Sequence, residues 1–363
     1  MLTNGGLRSR RRSRLRLRVW MLVHAVLLSV AVYGVVAVIT PGVPAPPIIA
    51  GLRQLPSERF SRVPPQVRIP TKPQLLRPVG KHFGVSTPQA PWSRKEIDRV
   101  AQRAGARPTL VQYFVKWTEP FRPQAVAMCY QQHALPVLSW EPWAGPGRGT
   151  DQPNYALARI ATGRFDPYVT RFAKALRGQR WPVVLRFAHE MNGHWYPWSQ
   201  QRSGNRPGDY VRAWRHLHDV FQRVGASNVI WVWSPNILRP VPGVSLRALY
   251  PGDRYVDWIG MVGYAVGERT GAQVFDPTLA ALRAFTRKPV LITETGAQPG
   301  PNKAAWTADF FGWLDRHRDV IGFIWFQHDQ ATGGGADWKF SSDPATLRAF
   351  RQGIARTRLA RPP

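Results

Sequence analysis

The sequence predicts a (β/α)8 barrel of the TIM type. Three observations predict it: eight short apolar runs, one-sided helical segments between them, and no glycine-rich phosphate turn after the first run. The runs are His82–Val85, Leu110–Phe114, Pro136–Trp140, Val183–Phe187, Val229–Trp233, Trp258–Val262, Val290–Thr293 and Ile321–Phe326. Strands that are apolar on both faces belong to a parallel sheet covered by helices. Eight such strand–helix units close into a barrel. The rival is an open doubly wound sheet, which brings a Gly-rich turn after an early strand. Here the first run continues Ser86-Thr-Pro-Gln-Ala-Pro, which has no such turn.

The segments that precede the barrel differ from it in composition. Residues 1–18 form a basic tail with seven arginines between positions 8 and 18. Val19–Ile39 follow without a charged residue apart from His24 when protonated, and these 21 residues are long enough to cross a hydrocarbon core. The run is longer than the apolar part of a cleavable signal, and Pro46 directly after Ala45 disfavours cleavage there. We therefore expect an uncleaved transmembrane signal anchor over 19–39, ahead of the alternative of a secreted chain. The arginines before it place the tail in the cytoplasm and everything after it outside. Residues 40–78 form a Pro-rich linker, with ten prolines in 41–78 alone. The barrel is then expected over residues 79–358.

Helix signals fill the gaps between the runs. Ser93-Arg-Lys-Glu96 reads as a capping box, followed by Ile97, Val100, Ala101 and Ala104 on one helix face. Val169, Phe172, Ala173 and Leu176 repeat that spacing, as do Tyr210, Trp214, Leu217 and Phe221. Trp306, Phe310, Trp313 and Leu314 mark one more stripe.

The formal net charge of +29 first points to nucleic acid, and subtracting the seven tail arginines leaves +22. That remainder is Arg scattered over helices and loops among many Ala and Pro, so no specific nucleic-acid partner is expected. Attraction to an anionic lipid or cell-envelope surface accounts for it better. The single cysteine, Cys129, excludes an intrachain disulfide and reads as a packing residue in a helix. The 16 tryptophans exceed what a core needs, and exposed indoles in clefts stack on flat ligands such as sugars and bases.

Barrel enzymes build their sites at the C-terminal ends of the strands. The fourth run leads into Arg186-Phe-Ala-His-Glu190-Met-Asn-Gly-His-Trp195, and the seventh into Glu294-Thr-Gly296. Strands four and seven face one another across a closed barrel. Two carboxylates converging there suit a retaining glycosidase, in which one protonates the leaving oxygen and the other attacks the anomeric carbon, about 5–5.5 Å apart. Rival carboxylates follow other runs: Glu119, Glu141 and Asp329, each able to serve structure or to bind sugar hydroxyls. Trp140 and Trp143, around Glu141, read equally as core or as sugar platforms. Trp231 and Trp233 share one strand face, so at least one is packing. His189-Glu190-Met-Asn-Gly-His194 echoes the zinc helix H-E-x-x-H, but its histidines are five apart and leave one helix face. No metal is expected.

These residues resemble glycoside hydrolase family 26, the β-mannanase family. Arg186-Phe-Ala-His-Glu-Met-Asn-Gly-His-Trp-Tyr-Pro-Trp198 is similar to that family's acid/base segment, and Ile292-Thr-Glu-Thr-Gly296 to its nucleophile strand. Val232-Trp-Ser-Pro-Asn236 resembles its fifth strand, and Tyr250 to Tyr264 its approach to the sixth. The resemblance implies a retaining hydrolase with Glu190 as acid/base and Glu294 as nucleophile. It further implies His189 in the subsite beside the cleavage point, Tyr264 as hydrogen-bond donor to the nucleophile, and Trp195 and Trp325 as sugar platforms. Arg186 adds positive potential beneath the site. The chain departs from the family in its tether and in its aromatic cluster.

The expected function is an endo-acting retaining β-glycosidase on a polysaccharide, foremost β-1,4-mannan, exposed outside the membrane and needing no metal or organic cofactor. The alternatives are the same chemistry on another β-glucan or on xylan, and a non-catalytic tethered polysaccharide-binding protein.

Overall fold

A computed structural model describes residues 70–238 and 244–363. The expected cytoplasmic tail, the anchor over 19–39 and the linker up to residue 69 lie outside the described residues. Among the described residues no helix is long and apolar enough to cross a membrane.

In chain order the elements are α1 (Lys72–Leu76), β1 (His82–Ser86), α2 (Arg94–Ala104), β2 (Leu110–Lys116), α3 (Pro123–Gln131), β3 (Leu135–Glu141), α4 (Leu157–Ala161), α5 (Asp166–Gln179) and β4 (Val183–Phe187). They continue with α6 (Asp209–Val224), β5 (Val229–Trp233), α7 (Leu246–Leu249), β6 (Trp258–Ala265), α8 (Gly271–Arg283), β7 (Val290–Ala297), α9 (Lys303–Arg316), β8 (Val320–Phe326) and α10 (Pro344–Arg356). The eight strands run parallel and close in sequence order, β8 pairing with β1 from His82 opposite Gly322 to Ser86 opposite Phe326. All eight expected runs are strands, and β4 and β5 have the expected limits.

The expected apolar stripes are the buried faces of α2, α5, α6 and α9, except that Ala101 of α2 is only half-buried. Each turns toward the outer face of the sheet, which is why these helices form where isolated peptides of their length would be marginal. At the start of α2, Ser93 Oγ accepts from Glu96 N at 3.2 Å. The Glu96 carboxylate, however, accepts from Gln89 N at 3.0 Å. The capping box is half formed, and its acidic arm ties down the preceding loop. Cys129 is buried within α3.

Helix α1 falls inside the stretch expected as linker. Its Lys72 Nζ reaches Val229 O and the Asp257 carboxylate, each at 2.7 Å, and Trp258 Nε1 donates to Leu76 O at 3.0 Å. Leu75 is buried. This short helix therefore docks at the N-terminal ends of β5 and β6. At the other end of the chain, Lys81 and Leu359 form a parallel bridge beside β1. The described barrel is closed and carries one continuous apolar core from Leu75 to Ile354, so residues 70–363 hold the contacts of a self-contained folding unit.

Candidate active site

Past β4 the backbone turns sharply. Ala188 and Glu190 take left-handed conformations, φ +44° and +54°, which cost about 1–3 kcal/mol for a residue with a side chain. The turn is held by Glu190 N donating to Ser234 O at 2.7 Å and Gly193 N donating to Glu190 O at 2.9 Å. A Cβ on Gly193 would lie 2.5 Å from the Trp195 ring, so the missing side chain is what admits the indole. Trp195 Nε1 then donates to Glu190 Oε2 at 2.9 Å. Because residues 188–192 form this turn, His189 and His194 do not share a helix face; His189 is buried and His194 exposed.

The other oxygen of Glu190 accepts from Asn236 Nδ2. Asn236 is itself fixed through its backbone: its N–H donates to Asn192 Oδ1 at 2.8 Å and its carbonyl accepts from Asn192 Nδ2 at 2.9 Å. Burial raises the Glu190 pKa above the usual 4.5 and the neighbouring Glu294 raises it further. The Trp195 donor, the Arg186 charge and the Asn236 donor pull the other way.

Glu294 lies within β7, not beyond it. The β6–β7 pairing skips from Met261 opposite Ile292 to Val262 opposite Glu294, and the β7–β8 pairing is irregular over the same residues. A bulge of this kind re-aims side chains. As a result two successive residues both meet groups inside the barrel. Thr293 Oγ1 pairs with Ser234 Oγ at 2.7 Å, while Glu294 takes three donors. These are Arg186 Nη1 at 2.5 Å and Gln112 Nε2 at 3.3 Å on Oε1, and Tyr264 Oη at 2.8 Å on Oε2. Arg186 is oriented by Ser234 Oγ and Ser139 Oγ, both at 3.0 Å.

A third carboxyl faces the same charges. Glu141 is buried, accepts from Trp143 Nε1 at 3.0 Å, and has its pKa pushed up to about 7. Burial is the main cause; Trp143 and Arg186 lower it and Glu294 raises it.

Several expected substrate contacts need correction. Trp325 has no exposed surface. It packs among Trp306, Phe310, Phe340 and Phe350 and donates to Trp338 O at 2.8 Å, so it belongs to the layer between strand and helix and cannot receive a sugar. Trp140 is likewise fully buried, against Trp117, Phe172 and Phe221, on the outer face of β3. Arg186 is also fully buried and reaches a substrate only through Glu294. His189 is 1% exposed, with Nε2 3.2 Å from Tyr196 Oη and its ring against Phe114 and Trp198. Burial, then Arg186, holds its pKa well below 6.5, so the imidazole is neutral. Of the expected platforms only Trp195 retains open surface. Trp231 packs on Trp214 of α6, and Trp233 packs on Tyr250 and donates to Leu249 O of α7. Asp329 caps the turn at Thr332 and pairs with Lys339, and Glu119 sits 3.9 Å from Lys116. His328 contacts Ser86 Oγ at 3.1 Å.

The sequence did not single out Asn236 or Asn192 individually, nor Gln112, Ser234 or Trp338. Trp338 is half-buried in the loop after β8, its ring 4.7 Å from that of Tyr264. Its signal was an isolated Trp in a Gly- and Asp-rich loop following the last strand.

The chain is also similar to known proteins. The sequence model described as glycosyl hydrolase family 26 matches residues 155–302, which contain both glutamates. Endoglucanase H of Acetivibrio thermocellus is 32% identical over 277 residues, 72% of this chain and 29% of that protein. A mannan endo-1,4-beta-mannosidase of Bacillus subtilis is 31% identical over 150 residues, 40% of this chain and 36% of that protein. The chain thus spans about a third of the length of these curated relatives. Among solved structures, a family 26 beta-mannanase from Bacteroides ovatus superposes with a TM-score of 0.58 at 18% identity, over 76% of this chain and 88% of that one; this likeness is one of fold. The strands that carry Glu190 and Glu294 thus lie within the region that matches the glycosyl hydrolase family 26 model, and the chain is similar to that family there.

Proposed function

We propose that the protein is a retaining endo-β-glycosidase that cuts a β-linked polysaccharide by double displacement, with Glu190 as acid/base and Glu294 as nucleophile. The observation that carries this reading is the unequal setting of the two carboxyls. Glu190 is buried beside a second carboxylate, and both effects raise its pKa, while Glu294 accepts from a buried guanidinium, a phenol and an amide. A carboxyl biased toward its protonated form suits the acid, and one fixed by three donors suits the positioned nucleophile. In the first step Glu190 gives its proton to the glycosidic oxygen, the C1–O bond breaks, and a Glu294 oxygen bonds to C1. In the second, water gives a proton to Glu190, its oxygen bonds to C1, and the bond to Glu294 breaks. Trp195, half-exposed beside Glu190, serves as a sugar platform.

The substrate we put first is β-1,4-mannan, as in the name of the Bacillus relative. A β-glucan stands next, supported by the name of endoglucanase H, with which the similarity is longer. Incubation with mannan, xylan and mixed-linkage glucan, with product sizing and anomeric analysis by NMR, tests both substrate and stereochemistry. Inverted product overturns the double displacement. No cleavage of any β-glycan leaves the binding-protein alternative.

The apolar, uncharged stretch 19–39 and the basic run before it support a membrane anchor with the barrel outside. Extraction of the full chain from membranes by detergent but not by carbonate is the expected result.

A further inference from the structure

We propose that the barrel face opposite the catalytic mouth is a docking surface for an anionic phospholipid bilayer. In a parallel barrel all strands begin on one face and the site lies on the other. Six of the eight strands have an exposed arginine within the six residues before them: Arg77, Arg180, Arg223, Arg254, Arg287 and Arg318. Before β3 the exposed His133 takes that place, and before β2 the half-buried Arg107 is engaged by Asp98 at 2.7 Å. The positive charge therefore recurs around the ring and does not belong to one helix.

Helix dipoles account for only part of it. Arg77 and Arg180 are C-cap residues and Arg223 lies in the last turn of α6, but Arg254, Arg287 and Arg318 lie outside the α-helices, in the stretches that lead into the strands. Few acids balance them. Asp319 is taken by Arg283 at 2.5 Å, and Asp253 by Tyr250 at 2.5 Å and Thr286 at 2.8 Å.

The face also carries a polar cavity of about 630 Å³ between α6 and the start of β6, lined by Lys72, His218, Asp219, Arg223, Arg254 and Asp257 among others. Lys72 and Asp257 neutralise each other there. No ion pair among the described residues engages Arg223 or Arg254, and both remain for an anionic headgroup.

The chain's own course favours a bilayer over a soluble polyanion. Pro70, the first described residue, lines a second cavity on this face, beside Arg358 and Arg361. On the anchored reading above, on which this orientation rests, the basic ring faces the lipid and the catalytic mouth faces away. Clustered Lys and Arg near an anionic surface bind it additively.

The test uses residues 70–363, which lack both the basic tail and the apolar stretch, so its outcome is independent of the anchor. Sedimentation with phosphatidylcholine vesicles, with and without phosphatidylglycerol, measures binding. Two variants of equal charge change are compared: Arg180→Glu/Arg287→Glu/Arg318→Glu, and Arg148→Glu/Arg206→Glu/Arg269→Glu in the loops after β3, β4 and β6. The expected result is binding only with phosphatidylglycerol, weakened at least about tenfold by the first triple and little by the second. Equal losses in the two triples, or binding indifferent to phosphatidylglycerol, overturn the proposal. Tighter retention on double-stranded DNA than on the anionic vesicles, at equal phosphate, also overturns it and assigns the face to nucleic acid.

Discussion

Tyr264 donates its hydroxyl to Oε2 of Glu294 at 2.8 Å, while the opposite oxygen of that carboxylate belongs to Arg186 and Gln112. Burial, and then Glu294, raises the Tyr264 pKa well above 10, so the phenol stays a donor throughout the working range. A hydrogen bond to a charged acceptor contributes about 1.5–3 kcal/mol. Tyr264→Phe is therefore expected to lower kcat about 10–100-fold. The ring still packs on Trp338 and Phe326, so Tm should move little. An unchanged kcat removes Tyr264 from the positioning of Glu294.

The two glutamates should fail in different ways. Glu294→Gln abolishes bond formation to C1 and is expected to cost at least about 10³-fold on every substrate. Glu190→Gln removes only proton transfer. Its loss should shrink sharply on an aryl glycoside whose leaving group needs no proton. Equal losses for both variants on both substrates would reject the assignment of roles.

The alkaline limb of the pH profile should respond to the donors on Glu190. A general acid works while protonated, so activity falls as pH rises through its pKa. Asn236 and Trp195 donate to the ionised carboxylate and lower that pKa. Removing either donor leaves burial and Glu294 less opposed. Asn236→Ala and Trp195→Phe are each expected to move the alkaline limb of kcat/KM to higher pH. A shift to lower pH would contradict the hydrogen-bond pattern.

How much of this was legible in sequence depends on how local each signal is. β4 and β5 were read to the residue because their apolar runs end where the barrel mouth begins. The apolar run of β7 ends at Thr293 because Glu294-Thr295-Gly296 carry no large apolar side chain, yet they continue the strand to Ala297. A run-based reading stops where a site is built into the sheet itself. Trp325 was misplaced because β8 is buried on both faces, so alternation gives no sign of which indole faces the helices. Asn236 ends the Val232–Asn236 segment, but its role depends on Asn192, 44 residues away, and on a bridge to Val262. Helix α1 was hidden by its prolines; Pro73 falls in its first turn, where it is tolerated.

Trp325 supplies a contrast of stability with binding. Trp325→Ala opens a cavity among Trp306, Phe340 and Phe350 and is expected to cost about 3–5 kcal/mol with KM unchanged in the folded fraction. Trp195→Ala, at a half-exposed position, should raise KM and leave Tm nearly constant. A raised KM without lost stability in Trp325→Ala would restore it as a platform.

Glu141 links the site to folding stability. Its pKa is about 7 in the folded protein against 4.5 for an ordinary carboxyl. A raised pKa means that the folded state binds the proton more tightly than the unfolded one. The stabilisation is complete below pH 4.5 and is lost as pH rises toward 7. Integrated over that window it amounts to roughly 3 kcal/mol. Glu141→Gln keeps an acceptor for Trp143 and has no charge to bury, so its stability should decline less with pH. The variant should match the parent at acidic pH and exceed it in Tm at pH values above the carboxyl's own pKa. Glu190, raised in the same direction, leaves a residual slope in the variant. If Tm of parent and variant run parallel from acid to alkaline pH, Glu141 is already ionised in the fold and Arg186 compensates it more fully than its buried setting allows.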